Sequence, residues 1–194
     1  MVQQLTPGPP LFLAGFSLGA NILLKWLGER GNDLPETVVG ACAVCSPLSL
    51  EACAARLEAE PMSRLYRWAL IFRLKHLARA FARRHPGQLD DSQLHKIRTF
   101  WQFDEWITAP LHGYLNARDY WDRCSSLRFL DGVRRPTLLL NAVDDPFLDP
   151  RLLPPETAWV KTEFPLHGGH LGFVPRGGFD WLESRLLSFF SSLL

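Results

Sequence analysis

What this sequence lacks narrows the field first. It has no charge imbalance: 21 Lys and Arg against 20 Asp and Glu leave +1 over 194 residues. That removes the bulk-electrostatic case for a nucleic-acid partner. No apolar run approaches the ~18 residues needed to span a bilayer, so no transmembrane helix is expected. The stretch Met1 to Pro10 has no basic segment leading into an apolar one and does not read as a secretory signal. Cysteine is scarce, with four in all. Cys42 and Cys45 form a lone C-x-x-C inside the apolar segment 38–45, with Ser46-Pro47 after it, whereas a thioredoxin-type pair opens a helix. Cys53 and Cys124 supply no second pair at a zinc spacing. On strand geometry positions 42 and 45 face opposite ways. Buried, reduced thiols are expected, consistent with a cytoplasmic location.

What is present is an ordinary globular balance, 47% apolar and 21% charged. The length allows one domain on a prior of ~150 residues each. Leu11 to Gly15 is a short apolar run of the kind buried on both faces of a parallel sheet. A helix follows at once, with Ile22, Leu23, Trp26 and Leu27 at helical spacing and Gly31 placed to end it. Further strands are expected at Val38–Val44, Thr137–Asn141 and Trp159–Phe164, and a last helix over about 180–193. Strands alternating with helices indicate an α/β fold with a mostly parallel sheet of about four strands. Its core would comprise residues 1–50 and 132–194. The intervening 51–131 reads as a helical insertion, with helical spacing through Leu65–Phe81, a break at Pro86-Gly87, and helices near 91–101 and 114–124.

Within that insertion, residues 61–100 carry nine Lys and Arg against two acids, a local +7. Arg67, Lys75, Arg79 and Arg83 follow the four-residue spacing of one helix face. The plain reading is a solvated outer face; the alternative is peripheral contact with a membrane, lipid or anionic substrate.

Three segments bear chemistry. Gly15-Phe-Ser17-Leu-Gly19 is a G-x-S-x-G motif. Alone it is weak, recurring by chance in roughly one chain of this length in fifteen to twenty. Between a buried strand and an amphipathic helix it becomes a nucleophile elbow. There the serine sits on a strained turn whose neighbours Gly15 and Gly19 leave no room for side chains, and the N–H of Leu18 faces a developing oxyanion. Asp144 and Asp145 follow the strand ending near Asn141, where an open α/β sheet gathers its site; Asp145 is preferred. A carboxylate there would orient a histidine and stabilise its imidazolium. His167 and His170 compete as that histidine, in a glycine-rich loop after the fourth strand. Their spacing would also suit a metal pair, but no third ligand is near, so no metal is expected.

The chain order Ser17, Asp145, His170 matches the Ser…Asp…His order of α/β-hydrolases. More specifically, Gly15-Phe-Ser-Leu-Gly-Ala-Asn-Ile-Leu-Leu, Gly31-Asn-Asp-Leu-Pro, Phe103-Asp-Glu-Trp-Ile-Thr-Ala-Pro-Leu-His-Gly-Tyr, Asn141-Ala-Val-Asp-Asp-Pro-Phe and His167-Gly-Gly-His-Leu-Gly-Phe resemble the YheT-like (embryogenesis-associated) family of α/β-hydrolases. The resemblance implies the C-terminal half of that fold. It also implies a serine esterase acting on short or medium acyl esters, without metal or organic cofactor. By the same resemblance Ser17 is the nucleophile, Asp145 the acid and His170 the base, with 51–131 as the cap.

Members of that family carry further strands before the elbow, and a loop that supplies a second oxyanion donor. Here the elbow strand begins at Leu11. Taken as it stands, that strand becomes a hydrophobic edge open to self-association. Losing one oxyanion donor would also lower the rate ~10²–10³-fold. The competing expectation is therefore a truncated, catalytically impaired homologue that acts at most as an interaction module.

Overall fold

The computed structural model describes residues 8–59, 63–173 and 180–194. The first seven residues of the stretch read above for a signal lie outside the described residues. The chain divides into two compact units, Met1–Leu48 with Ser125–Leu194, and Ser49–Cys124. In chain order the elements are β1 (Leu11–Phe16), α1 (Leu18–Arg30), β2 (Val38–Val44), α2 (Leu50–Ala59), α3 (Ser63–Arg84), α4 (Phe100–Phe103), α5 (Ala109–His112), α6 (Ala117–Cys124), β3 (Thr137–Leu140), β4 (Val160–Glu163) and α7 (Trp181–Ser191).

In the first unit four strands pair in the order β1-β2-β3-β4. All three pairings are parallel, with Gly15 opposite Ala43 and Ala43 opposite Leu139. Both faces are covered. Leu24 and Leu27 of α1 pack with Ala41, Ala43 and Leu139 on one side. Leu186 and Phe189 of α7 pack with Cys42, Val44, Leu138 and Leu140 on the other. This is why β2 and β3 are continuous apolar runs rather than alternating ones. A 3₁₀ segment, Ser126–Gly132, packs on α1, so residues 125–131 belong with the sheet. Its approach needs glycine: a Cβ on Gly28 would lie 2.0 Å from the Phe129 carbonyl oxygen.

β1 differs from its neighbours. Its sequence is as apolar as theirs, yet Leu11 and Phe16 are 47% and 44% exposed, and among the described residues it pairs with β2 alone. The opposite-face expectation for Cys42 and Cys45 needs correction. Both are free, buried thiols on the α7 side of the sheet. Strand alternation stops at Val44, and a φ of 51° at Cys45 turns its side chain back to the face of Cys42.

The second unit is helical. Its core gathers Ile71, Ala78, Leu94, Ile97, Phe103 and Ile107. The helix expected over 91–101 is instead a short 3₁₀ turn, Leu94–Lys96, an extended Ile97, and α4 starting at Phe100. Thr99 ends the extended stretch by accepting from the Gln102 N–H, capping α4. A π-turn, Asp104–Thr108, joins α4 to α5. Its Asp104 carboxylate accepts from Trp121 Nε1 at 2.7 Å and Thr108 Oγ1 at 2.6 Å. Burial nevertheless raises the Asp104 carboxyl above the usual range, against the pull of those two donors. Glu105 accepts from the Ala117 N–H at 2.8 Å, at the start of α6. Among the described residues no helix is long and apolar enough to cross a membrane.

Candidate active site

The site is built beyond the C-terminal ends of β1, β2, β3 and β4, all within the sheet unit. β1 leads into Ser17, whose N–H still donates to the Val44 carbonyl at 2.9 Å. The backbone then folds sharply: Ser17 adopts φ 52°, ψ −126°, a region costly for any residue with a side chain. The Ser17 carbonyl accepts from Ala20 and Asn21, so α1 starts without a free turn between strand and helix. Gly15 is required by this geometry, because a Cβ there would lie 2.7 Å from the Gly19 carbonyl oxygen. At Gly19 a Cβ would meet nothing within 4 Å. The crowding expected on both sides of the serine therefore exists only on the Gly15 side. Leu18 occupies the first position of α1, where its N–H has no intrahelical acceptor and the helix end is electropositive.

Ser17 Oγ lies 2.9 Å from His170 Nε2, and His170 Nδ1 lies 2.9 Å from Asp145 Oδ2. The three groups are thus chained by two hydrogen bonds. Asp145 is 1% exposed, and its other oxygen accepts from the Phe147 N–H at 2.8 Å. The Phe147 ring stacks on the His170 imidazole with centroids 4.0 Å apart. Phe147 sits in the quoted Asp-Asp-Pro-Phe run, but neither spacing nor residue type signalled that contact.

The competing candidates form a second, outer pair. His167 Nδ1 lies 3.3 Å from Asp144 Oδ2, with the His167 ring largely and the Asp144 side chain partly exposed. Asp144 also accepts from the N–H groups of Gly168 (3.0 Å) and Gly169 (2.8 Å), tying down the loop that carries His170. Burial resists ionisation of Asp144 most, yet the Gly169 N–H, the His167 ring and the Gly168 N–H together hold its carboxyl below the usual range. Gly168 cannot carry a side chain, since its Cβ would lie 2.6 Å from the Phe173 ring.

Cys45 lies under the same loop. Its thiol points at the Gly169 carbonyl (3.8 Å) and accepts from the Leu171 N–H (3.4 Å), the two peptide groups that flank His170. Burial pushes this thiol up to about 12. Its sulfur, an Asp145 oxygen and a His170 nitrogen lie within 4.8 Å of one another, so a third potential metal donor does stand near His170, contrary to the expectation. All three are already engaged in hydrogen bonds, and a metal would need the thiolate that burial opposes. Among the described residues the non-glycine positions with left-handed φ are Ser17, Cys45, Leu171 and Phe173. All four belong to the elbow or to the His170 loop and its support, so backbone strain is concentrated at this one place.

The chain is similar to several known proteins. It is 40% identical over 198 residues to an Escherichia coli protein named "Putative esterase YheT", covering 95% of this chain and 56% of that one. It is 34% identical to a monoacylglycerol lipase of Saccharomyces cerevisiae, covering 94% of this chain and 42% of the relative. It is 31% identical to the human monoacylglycerol lipase ABHD2, covering 89% and 44%. The chain therefore spans about half the length of these curated relatives. The family model for the alpha/beta hydrolase fold matches residues 1–176. With the parallel sheet, the strand-to-helix turn at Ser17 and this match together, the chain belongs to the alpha/beta hydrolase fold family.

Proposed function

We propose that this chain carries the catalytic machinery of a serine hydrolase that cleaves carboxylic esters of short or medium acyl chain, with the helical unit as its cap. Ser17 attacks the acyl carbonyl while His170 Nε2 takes its proton. Asp145 holds the imidazole in the tautomer with Nδ1–H and stabilises the imidazolium. The oxyanion of the tetrahedral intermediate is met by the Leu18 N–H at the start of α1. His170 then protonates the leaving alcohol, and water, activated by the same nitrogen, hydrolyses the acyl-enzyme. None of these steps calls for a metal or an organic cofactor.

The observation that carries this reading is the 2.9 Å and 2.9 Å relay from Ser17 through His170 to a carboxylate that is almost fully buried. The test is labelling of the folded chain with a fluorophosphonate probe. The expected result is one adduct, on Ser17, absent in Ser17→Ala and suppressed at least 100-fold in His170→Ala. A folded chain that leaves Ser17 unlabelled would sink the proposal.

A second reading rests on the exposure of Leu11 and Phe16 along β1. An exposed apolar strand that pairs on one side alone among the described residues favours association, with catalysis impaired. On that reading this stretch acts as an interaction module. Turnover of p-nitrophenyl butyrate, compared with that of a chain extended before Met1, separates the two: equal rates exclude impairment.

A further inference from the structure

Within the helical unit, α3 and the segment 95–98 border a cleft of about 590 Å³ that the proposed chemistry does not use. Its apolar lining is Trp68, Ile71, Phe72 and Ile97. Trp68 and Phe72 are 66% and 60% exposed and stack on one another with centroids 5.8 Å apart. The other lining groups are cationic, Arg67, Lys75, Arg79 and Arg98, with His95 beside them and no acidic residue among them. The spacing 67, 68, 71, 72, 75, 79 places the α3 contributors on one helical face.

These cations are short of acceptors. Lys75 Nζ and Arg98 Nη1 both donate to the same Ile97 carbonyl, and Arg98 also donates to that of His95. Among the described residues none of Arg67, Lys75, Arg79 and Arg98 forms an ion pair. Lys75 is held below the usual lysine range, by burial first and then by the charges of Arg98 and Arg79. Gathering like charges round an apolar groove is unfavourable in the free protein and becomes favourable only when an anion joins them.

We infer that this cleft docks the chain on an anionic lipid surface, with phosphate headgroups among Arg67, Lys75, Arg79 and Arg98 and the rings of Trp68 and Phe72 at the acyl boundary. Charge complementarity selects the anion. The exposed aromatic pair, with Leu65 exposed on the same helix, selects an amphiphile over a bare ion. A duplex nucleic acid would match the cations but leave the aromatic pair unused. The inference goes beyond the hydrolase reading and does not depend on Ser17.

Sedimentation of the 194-residue chain with vesicles tests it. One set is phosphatidylcholine alone; the other contains about one third phosphatidylglycerol. Partitioning is expected to favour the anionic vesicles at least 10-fold and to collapse in high salt. Arg67→Gln/Arg79→Gln should weaken it ~25-fold, about 5-fold per charge. Arg83→Gln/Arg84→Gln, the same charge change beyond the cleft, should cost less than ~3-fold. A blue shift of tryptophan emission on binding should disappear in Trp68→Phe. Far-ultraviolet circular dichroism checks that each variant is folded.

Four results would overturn the inference. They are equal binding to neutral vesicles, equal loss in the two arginine pairs, displacement by millimolar inorganic phosphate, and oligonucleotide binding as tight as that to vesicles. The third assigns the cleft to small anions and the fourth to nucleic acid. None of these readouts uses ester turnover, so failure here is separable from failure of the hydrolase reading.

Discussion

The site in the sheet unit and the cleft in the helical unit handle charge in opposite ways. At the site the ionisable groups come in matched pairs, His170 with buried Asp145 and His167 with Asp144, and elsewhere in the sheet unit Arg185 pairs with Glu163 at the end of β4. In the helical unit four cations surround a cleft without an acid among them. The backbone follows the same division, since every non-glycine residue with left-handed φ among those described lies in the sheet unit. A reacting centre must hold its groups in place before the substrate arrives, so its polar interactions are complete within the protein. A recognition surface gains most when its interactions are left incomplete until a ligand supplies them.

The largest effect expected from breaking this contrast lies inside the sheet unit, between the inner and outer acid–base pairs. Asp145→Asn should lower kcat/KM for p-nitrophenyl butyrate by about 10⁴, because an amide favours the wrong imidazole tautomer. Asp144→Asn removes the partner of an exposed histidine and weakens two loop contacts, so a loss of less than ~10-fold is expected. Comparable losses in both variants would mean that the outer pair shares the chemistry and that burial does not distinguish them.

Much of this contrast was legible in the sequence, and the misses are instructive. The elbow was readable because the motif, the apolar strand and the amphipathic helix are contiguous, so local rules suffice. The strand ends that carry Asp145 and His170 were readable for the same reason. Spacing alone left Asp144 against Asp145 and His167 against His170 unresolved. Both pairs form, and burial together with the 2.9 Å reach of His170 Nε2 to Ser17 Oγ separates them. Cys45 was missed as a support of the His170 loop because strand alternation was extended one residue too far, past the point where φ turns positive. The irregular stretch 91–101 was misread because its apolar residues Leu94 and Ile97 keep helical spacing while serving a turn and an extended segment. The cleft was half visible: the basic stripe stood out, but Arg98 joins it from outside α3, which periodicity along one helix cannot reveal.

The next effect falls on the helical unit, where Asp104 stands in for the paired groups of the site. It links α6 to the π-turn by accepting from Trp121 and Thr108. Asp104→Ala should cost this unit about 2 kcal/mol, by removing the acceptor of a buried indole N–H. Hydrogen exchange should quicken across residues 100–124 and stay unchanged in β2 and β3. Loss of protection in the strands as well would show that the two units unfold as one.

The smallest effect tests the contrast through pH. Arg185 donates to Glu163 from Nε at 2.8 Å, and its guanidinium holds that carboxyl below the usual range despite partial burial. A depressed carboxyl contributes stability that is complete above its unfolded value and is lost as pH falls through the folded one. Asp104 has the opposite sign. Its folded carboxyl is raised, so the folded state keeps a proton that the unfolded chain has released, and stability falls as pH rises from the ordinary carboxylate value to the raised one. Acid should therefore weaken the β4–α7 contact while relieving the π-turn. Melting followed across about pH 3 to 6 should show Glu163→Gln costing about 1 kcal/mol at the upper end, with the cost shrinking towards the lower. Asp104→Asn should narrow its deficit in the other direction, as pH rises. If both variants converge on the parent protein at the same end of the range, the two carboxyls share one environment and the division between paired and buried charge fails.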